Sequence, residues 1–178
     1  TIRRTRLNYA LNHAERVQQS LLEELISKGK STRYGQQYQF DHIKSYQDFK
    51  QLVPISSYTD LFPYIDRMMK GEKDVLWPGQ IQWYSKSSGT TNAKSKYIPV
   101  SKENLENCHI RGNWNTMTFF YDQREDAKQF EARSIVMGGS LHPFEQYKDT
   151  QIGDVSAIML KNMPNFAWAF MSPGMEVS

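Results

Sequence analysis

The sequence predicts an α/β fold, a mixed sheet with packed helices behind a long N-terminal helix, and three observations carry that expectation. Apolar residues recur at helical spacing from Thr5 to Lys28. Ile81-Gln82-Trp83-Tyr84-Ser85 alternates with the two-residue period of a half-buried strand. Ser134-Ile135-Val136-Met137 is a short apolar run that ends in Gly138-Gly139-Ser140, the pattern of a buried strand meeting a turn.

In chain order, Leu7, Leu11, Ala14, Leu21, Leu22 and Leu25 define the apolar face of one helix over 5–28, with Gly29 at its C-terminal stop. Leucines at that spacing read as core. Ser31 to Phe40 is a polar connector pinned by Tyr34, Tyr38 and Phe40. Ser45 is placed to cap a short helix over 46–52, which Pro54 stops. Ser57 or Thr59 opens the next turn, and Pro63 reads as the first residue of a new helical segment because proline is best tolerated there. Ile65, Met68 and Met69 line one side of that segment, and Lys70-Gly71 ends it. Asp66 and Arg67 read as an exposed ion pair, with a ligand-binding pair as the alternative.

Trp77-Pro78-Gly79 is a turn that delivers the chain into the strand at Ile81. Beyond Pro99, Ser101 is an N-cap with Glu103 in the first helical turn, and Leu105, Cys108, Gly112, Thr116, Phe119 and Phe120 track one face of the helix that follows. A glycine such as Gly112 inside a helix costs about 1 kcal/mol against alanine, which close packing of helix on sheet would offset. Cys108-His109 has no further ligand at helical spacing and does not read as a metal site. Residues 121–131 are charged and exposed, and His142 has no partner carboxylate in sight and reads as structural or exposed. Val155 to Leu160 is a strand or a buried helix, separated by Pro164 from the aromatic run Phe166-Ala167-Trp168-Ala169-Phe170-Met171, which reads as core.

Composition narrows the function classes. The chain has 178 residues, 39% of them hydrophobic, enough for one core and so for one domain or part of one. A net charge of +3, from 22 basic and 19 acidic residues, is too balanced for a nucleic-acid or anionic-membrane binder. A single cysteine allows no internal disulfide and suits a reducing cytoplasm. No apolar window approaches the roughly 18 residues that span a bilayer, and polar residues interrupt any signal-peptide core near the N-terminus.

Chemistry concentrates in Ser85-Lys86-Ser87-Ser88-Gly89-Thr90-Thr91-Asn92-Ala93-Lys94-Ser95-Lys96. Hydroxyls and amides crowd a glycine while lysines flank them, so a bend there presents N–H and O–H donors and positive charge to one anion. Tyr97-Ile98-Pro99-Val100 downstream is extended, so the segment links strand to strand. That context disfavours a Walker loop, which opens a helix and needs a second glycine, and a Rossmann fingerprint, which needs three. A phosphate cradle fits: Gly89 permits positive φ, successive amides form an anion nest, and lysine supplies a point charge. A plain Ser/Thr/Gly/Lys surface loop remains the alternative, although a long stretch without secondary structure inside a compact domain favours function.

The cradle has the form [ST]-[ST]-G-T-[TS]-x(4)-K, met by Ser87-Ser88-Gly89-Thr90-Thr91 with Lys96. Around it stand Val53-Pro54-Ile55, Pro63-Tyr64-Ile65-Asp66-Arg67-Met68, Gly71-Glu72, Leu76-Trp77-Pro78-Gly79, Ile98-Pro99-Val100-Ser101, Gly138-Gly139-Ser140 and Gly153-Asp154-Val155-Ser156. In these residues the chain resembles the auxin-responsive Gretchen Hagen acyl-acid amido synthetases and their bacterial relatives, a branch of the adenylate-forming superfamily. Where many relatives carry glycine this chain has Asn92, which tolerates the left-handed region.

The resemblance implies that residues 1–178 are the N-terminal part of the large adenylation domain, with the rest of that domain and a mobile C-terminal domain absent. It implies a cytoplasmic ligase that activates a carboxylic acid with ATP and Mg²⁺ as an acyl-adenylate and passes the acyl group to an amine, an amino acid being the expected acceptor. Ser87, Ser88, Gly89, Thr90, Thr91, Asn92 and Lys96 would bind the nucleotide, with Ser88 and Lys96 catalytic. The aromatics after Pro164 would then shape an acid pocket, and the Gly138-Gly139-Ser140 turn would line a pocket beside the cradle. A non-catalytic phosphate-binding or interaction module is the alternative, and the segment alone is expected to be inactive. A phosphotransferase would need an acidic metal ligand and a base that the sequence does not offer.

Overall fold

The computed structural model describes residues 2–87, 95–124, 126–128 and 130–172. The chain divides into two compact units, one of Thr1–Gln82 with Pro143–Thr150 and one of Trp83–His142 with Gln151–Ser178.

The first unit is built from helices α1 (Ile2–Asn12), α2 (Ala14–Gly29), α3 (Arg33–Gln37), α4 (Tyr46–Leu52) and α5 (Tyr58–Met69). The single N-terminal helix expected from the sequence is two. His13 adopts φ −134° and ψ 39°, its ring stacks on Tyr9 at 4.3 Å, and its Nδ1 donates to the Tyr9 carbonyl at 3.0 Å. The break between the two helices thus falls at the residue whose backbone leaves helical geometry and whose side chain folds back onto Tyr9. The leucine face is also not core throughout. Leu11 is 70% exposed, and Leu21 and Leu25 are exposed too, whereas Ile26 and Gly29 are buried.

Gly29 and Gly35 mark the tightest approach. A Cβ on Gly35 would fall on the Gly29 carbonyl, and one on Gly29 would meet the Phe40 ring at 2.9 Å. Between them the buried Thr32 hydroxyl donates to the Gly29 carbonyl at 2.7 Å and accepts from the Gly35 amide at 3.0 Å, ending one helix and capping the next. Tyr34 lies edge-on to Phe40 and to Tyr64, as a connector pinned by its rings requires.

Ser45 caps α4 as read from the sequence. Helix α5 runs through Pro63 rather than starting at it. A reciprocal capping box between Ser57 and Asp60, with Ile65, Met68 and Met69 buried on one face, outweighs the bond that Pro63 cannot donate. Gly71 follows with φ +88°, the left-handed stop that glycine suits. Asp66 and Arg67 do not pair with each other: Asp66 binds Lys70 at 2.7 Å, and Arg67 forms a bidentate pair with Glu72 at 2.6 Å. Adjacent helical residues point apart, a residue four positions on lies on the same face, and Glu72 reaches Arg67 from beyond the end of α5.

A mixed sheet runs in the order β2-β1-β5-β4, from β1 (Trp83–Lys86), β2 (Tyr97–Val100), β4 (Leu141–Phe144) and β5 (Tyr147–Gly153), and its residues Pro143–Thr150 are those counted with the first unit. β1 is antiparallel to β2 and parallel to β5. Helix α8 (Val155–Lys161) follows β5, and Ile158 packs with Val100 and Leu105 under Trp83 and Leu141. The hairpin strands β4 and β5 were not visible in the sequence, because Tyr147-Lys148-Asp149-Thr150-Gln151 is too polar to show strand alternation. β3 (Ser134–Ile135) is only two residues long and pairs in parallel with β6 (Met171–Ser172). Ile135 and Met137 are 85% and 88% exposed, so the buried strand expected there is a short exposed one.

A short α6 (Lys102–Asn104), capped by Ser101, leads through a π-helical turn at Leu105–Ile110 into α7 (Arg111–Gln123). A π turn uses i→i+5 bonds and sets the following helix back by about one residue. The face expected at Gly112 and Thr116 is accordingly found at Asn113 and Met117. Gly112 is exposed, with nothing within 4 Å of where a Cβ would lie, so close packing on the sheet does not explain it.

Candidate functional site

The expected strand–connection–strand is present. β1 and β2 form an antiparallel ladder in the register Trp83↔Val100, Tyr84↔Pro99, Ser85↔Ile98 and Lys86↔Tyr97. Pro99 has no amide to contribute, yet it is tolerated because β2 is an edge strand of the sheet.

Beyond Lys86 and Tyr97 the ladder closes on two candidate residues. The Ser87 amide donates to the Lys96 carbonyl at 2.9 Å, and the Lys96 amide donates to the Ser87 hydroxyl at 2.9 Å. The return bond thus goes to a side chain, which ends the regular ladder at this pair. Ser87 is half-buried, and the Lys86 and Lys96 side chains are exposed. Ser88, Gly89, Thr90, Thr91 and Asn92 lie outside the described residues. The first and last members of the predicted cradle therefore sit together, with the remaining members on the chain that joins them.

Two of the other motif segments meet elsewhere in the same unit. The Gly139 amide donates to the Ser156 hydroxyl at 3.2 Å, the Ser140 amide donates to the Asp154 carboxylate at 3.0 Å, and the Asp154 amide donates to the Ser140 carbonyl at 3.0 Å. A Cβ on Gly139 would overlap the Asp154 side chain, and one on Gly153 would overlap the Ser140 carbonyl. Gly138-Gly139-Ser140 and Gly153-Asp154-Val155-Ser156 thus form one interlocked structural node. The turn serves this packing and is not among the residues that line a cavity in the same unit.

That cavity, of about 130 Å³, lies between α7 and the segment after α8. Trp114, Phe130, Phe166 and Phe170 wall it together with methionines such as Met117 and Met163. Phe166, expected in the core, is 56% exposed at its edge. Asn113, Ser134 and Asn162 are the polar residues of its lining. Trp114 and Phe130 were missed in the sequence, since the π turn displaced the helical phase by which Trp114 would have been found.

His142 is exposed on β4, and Cys108 is exposed with a free thiol. Among the described residues no group of three or more His, Cys, Asp or Glu side chains could hold a metal ion, and no helix is long and apolar enough to cross a membrane.

Comparisons with known proteins place these features in context. Residues 3–173 match the GH3 family N-terminal domain. The chain is 35% identical over 114 residues to a 4-substituted benzoates-glutamate ligase of Arabidopsis thaliana, covering 64% of this chain and 18% of the relative. It is 34% identical over 142 residues to a jasmonoyl-L-amino acid synthetase of Nicotiana attenuata, covering 71% of this chain and 24% of the relative. Among solved structures it is similar to a GH3.15 acyl acid amido synthetase, with a TM-score of 0.75 at 24% identity over 98% of this chain and 29% of that one. A second solved chain, an acyl acid amido synthetase in complex with 2,4-DB, gives a TM-score of 0.71 at 26% identity, covering 83% of this chain and 26% of that one. The matched region spans about a fifth to a quarter of the length of these curated relatives.

Proposed function

The chain belongs to the GH3 (Gretchen Hagen) family, and on that premise we propose that it supplies the phosphate-binding part of an adenylation domain in an acyl-acid amido synthetase. In the complete protein a carboxylic acid is activated with ATP as an acyl-adenylate, with release of pyrophosphate, and the acyl group then passes to the amine of an amino acid.

One observation supports this reading most: Ser87 and Lys96 are bonded to each other across the mouth of the β1–β2 hairpin. The hydroxyl-rich connection between them is held at both ends on a sheet, a more rigid base than a free surface loop would have. When the acid's carboxylate attacks the α-phosphorus, negative charge grows on the departing pyrophosphate. Donors from Ser87, Ser88, Thr90 and Thr91, with the Lys96 ammonium, bind that charge more strongly in the transition state than in the ground state. Glycine at 89 and asparagine at 92 are the residue types that best tolerate positive φ, which a phosphate-binding turn demands. Mg²⁺ accompanies ATP in this proposal, but the described residues contain no carboxylate cluster suited to it, and none is assigned to that ion.

The relatives set the expected range of substrates: a benzoate or jasmonate-like acid, with glutamate or another amino acid as acceptor. In the complete protein, Ser88→Ala and Lys96→Ala should each lower acid-dependent exchange of pyrophosphate into ATP by at least about tenfold, the scale of a lost transition-state donor. Unchanged exchange in both variants would remove the hairpin from the mechanism.

A further inference from the structure

The sequence gives α7 two faces that could turn inward, and the π turn decides which one does. Leu105 is buried with Val100 and Ile158 at the start of the turn, so the phase is fixed there. A regular α-helix continued from Leu105 would present His109, Gly112, Asn113 and Thr116 on the same side. The i→i+5 turn takes up one extra residue, and Ile110, Asn113, Trp114 and Met117 stand there instead.

The two settings are balanced against each other. Trp114 favours the observed one, because its ring stacks on Phe130 and Phe166 with centroids 6.2 and 6.1 Å away. Other features go unused in it. Gly112 stands inside a helix with nothing within 4 Å of its would-be Cβ, although glycine is a poor helix former. Phe119 and Phe120, which continue the face of Gly112 and Thr116, are 45% and 41% exposed. The Thr116 and Thr118 hydroxyls donate to the Gly112 and Trp114 carbonyls at 3.1 and 2.8 Å, back-bonds that weaken a helical ladder. No residue of α7 is fully buried, so no deeply packed side chain pins its rotation.

We propose that the π turn at Leu105–Ile110 is a register switch. In the second setting the turn is regular α-helix and α7 is rotated by about 100°, the share of one residue at 3.6 per turn. Each wall position then receives the preceding residue: Gly112 for Asn113, Asn113 for Trp114 and Thr116 for Met117. The wall loses its largest ring and its thioether, so the cavity becomes wider and more polar. The switch is a property of the helix itself and goes beyond the reaction proposed above.

Maleimide labelling of Met117→Cys in the complete protein, read at that peptide by mass spectrometry, tests the switch. Position 117 faces the cavity in the observed setting and turns away from it in the second, so a bulky maleimide reaches the introduced thiol through the second. Adding Gly112→Phe should slow labelling at least tenfold, because the ring enters open space in the observed setting and collides with the cavity wall in the other. Adding Gly112→Ala should slow it far less. Alanine is the better helix former of the two, so labelling through simple fraying of α7 would rank them the other way. Deleting Asn107, an exposed residue of the turn, removes the spare position, keeps the observed wall in a regular helix and should slow labelling as Gly112→Phe does. Melting curves identify the folded variants. No labelling of Met117→Cys, an effect of Gly112→Ala equal to that of Gly112→Phe, or an unchanged rate in the folded deletion variant overturns the proposal.

Discussion

Ser87 and Lys96 exchange two hydrogen bonds across the hairpin mouth, one of them through the Ser87 hydroxyl rather than its carbonyl. The hydroxyl therefore has a structural task before it meets any ligand. In Ser87→Ala the Lys96 amide loses its acceptor, a change worth about 1 kcal/mol for an ordinary bond, while Ser87→Thr keeps the oxygen. In the complete protein, Ser87→Ala should raise the KM for ATP severalfold while Ser87→Thr stays near the unaltered enzyme. If the two variants behave alike in an ATP titration of the exchange reaction, the hydroxyl does not position the connection.

Glu72 gathers two arginines in the first unit, with Arg67 bidentate at 2.6 Å and Arg33 at 2.6 Å. The hydrogen bonds from Arg67, with the charges of both arginines, hold its carboxyl below the usual glutamate range. A carboxyl lowered in the folded state contributes stability above its unfolded pKa and loses it as the pH falls through the folded one. The stability difference between the unaltered chain and Glu72→Gln should therefore be constant above about pH 5 and shrink as the solution is acidified. Urea unfolding at a series of pH values measures it, and a difference independent of pH would show that the charge contributes nothing.

Which parts of this structure could be read from the sequence depended on whether the signal was local. The caps at Ser45 and Ser101, the α5 core face and the hairpin strands on either side of residues 87–96 all rest on residues within a few positions of one another, and each is found as expected. The failures share one cause, in that a distant or unusual contact overrode the local pattern. His13 leaves helical geometry and folds its ring onto Tyr9, where the sequence shows an unbroken helical pattern. The π turn at Leu105–Ile110 set α7 back by one residue and turned Asn113 and Met117 to the cavity in place of Gly112 and Thr116. β5 is polar in sequence yet holds the buried Thr150, whose hydroxyl donates to the Met69 carbonyl at 2.8 Å, 81 residues away. Of the candidate site, the placing of Ser87 and Lys96 at the two ends of the connection was legible, and so was the run after Pro164 that lines the cavity with Phe166, Ala167, Phe170 and Met171, whereas Trp114 and Phe130 join it through tertiary contacts that no short window contains.

Tyr84 is fully buried on β1, and among the described residues its hydroxyl has no hydrogen-bond partner. Burial pushes the phenol's pKa well up, so the group stays neutral, but its O–H has still given up water without replacement. An unsatisfied buried group costs about 1–3 kcal/mol. Tyr84→Phe keeps the ring and removes the orphaned atom, so the midpoint of urea unfolding should rise. A lower midpoint would mean that the hydroxyl has a partner in solution.

Gly35 and Gly112 both lie in helices, and they should respond to alanine in opposite directions. At Gly35 the added Cβ meets backbone on every side, with the Gly29 carbonyl oxygen beneath it, the Gly29 carbonyl carbon at 2.8 Å and the Lys30 Cα at 3.1 Å. Backbone cannot swing aside as a side chain can, so α2 and α3 must separate. That separation would stretch the Thr32 bonds joining them and shift Phe40 from its place against Gly29. A loss of about 2–4 kcal/mol is expected, in the range of overpacked core sites. At Gly112 the same methyl enters open space in α7. There alanine relieves a helix-interior glycine, with a gain of about 0.5–1 kcal/mol. Because the two sites lie in different units, the effects should add in the double variant. Thermal melts of the three variants check the pair. Equal shifts at both positions would mean that the α2–α3 approach is looser in solution than the Gly29–Gly35 contact requires.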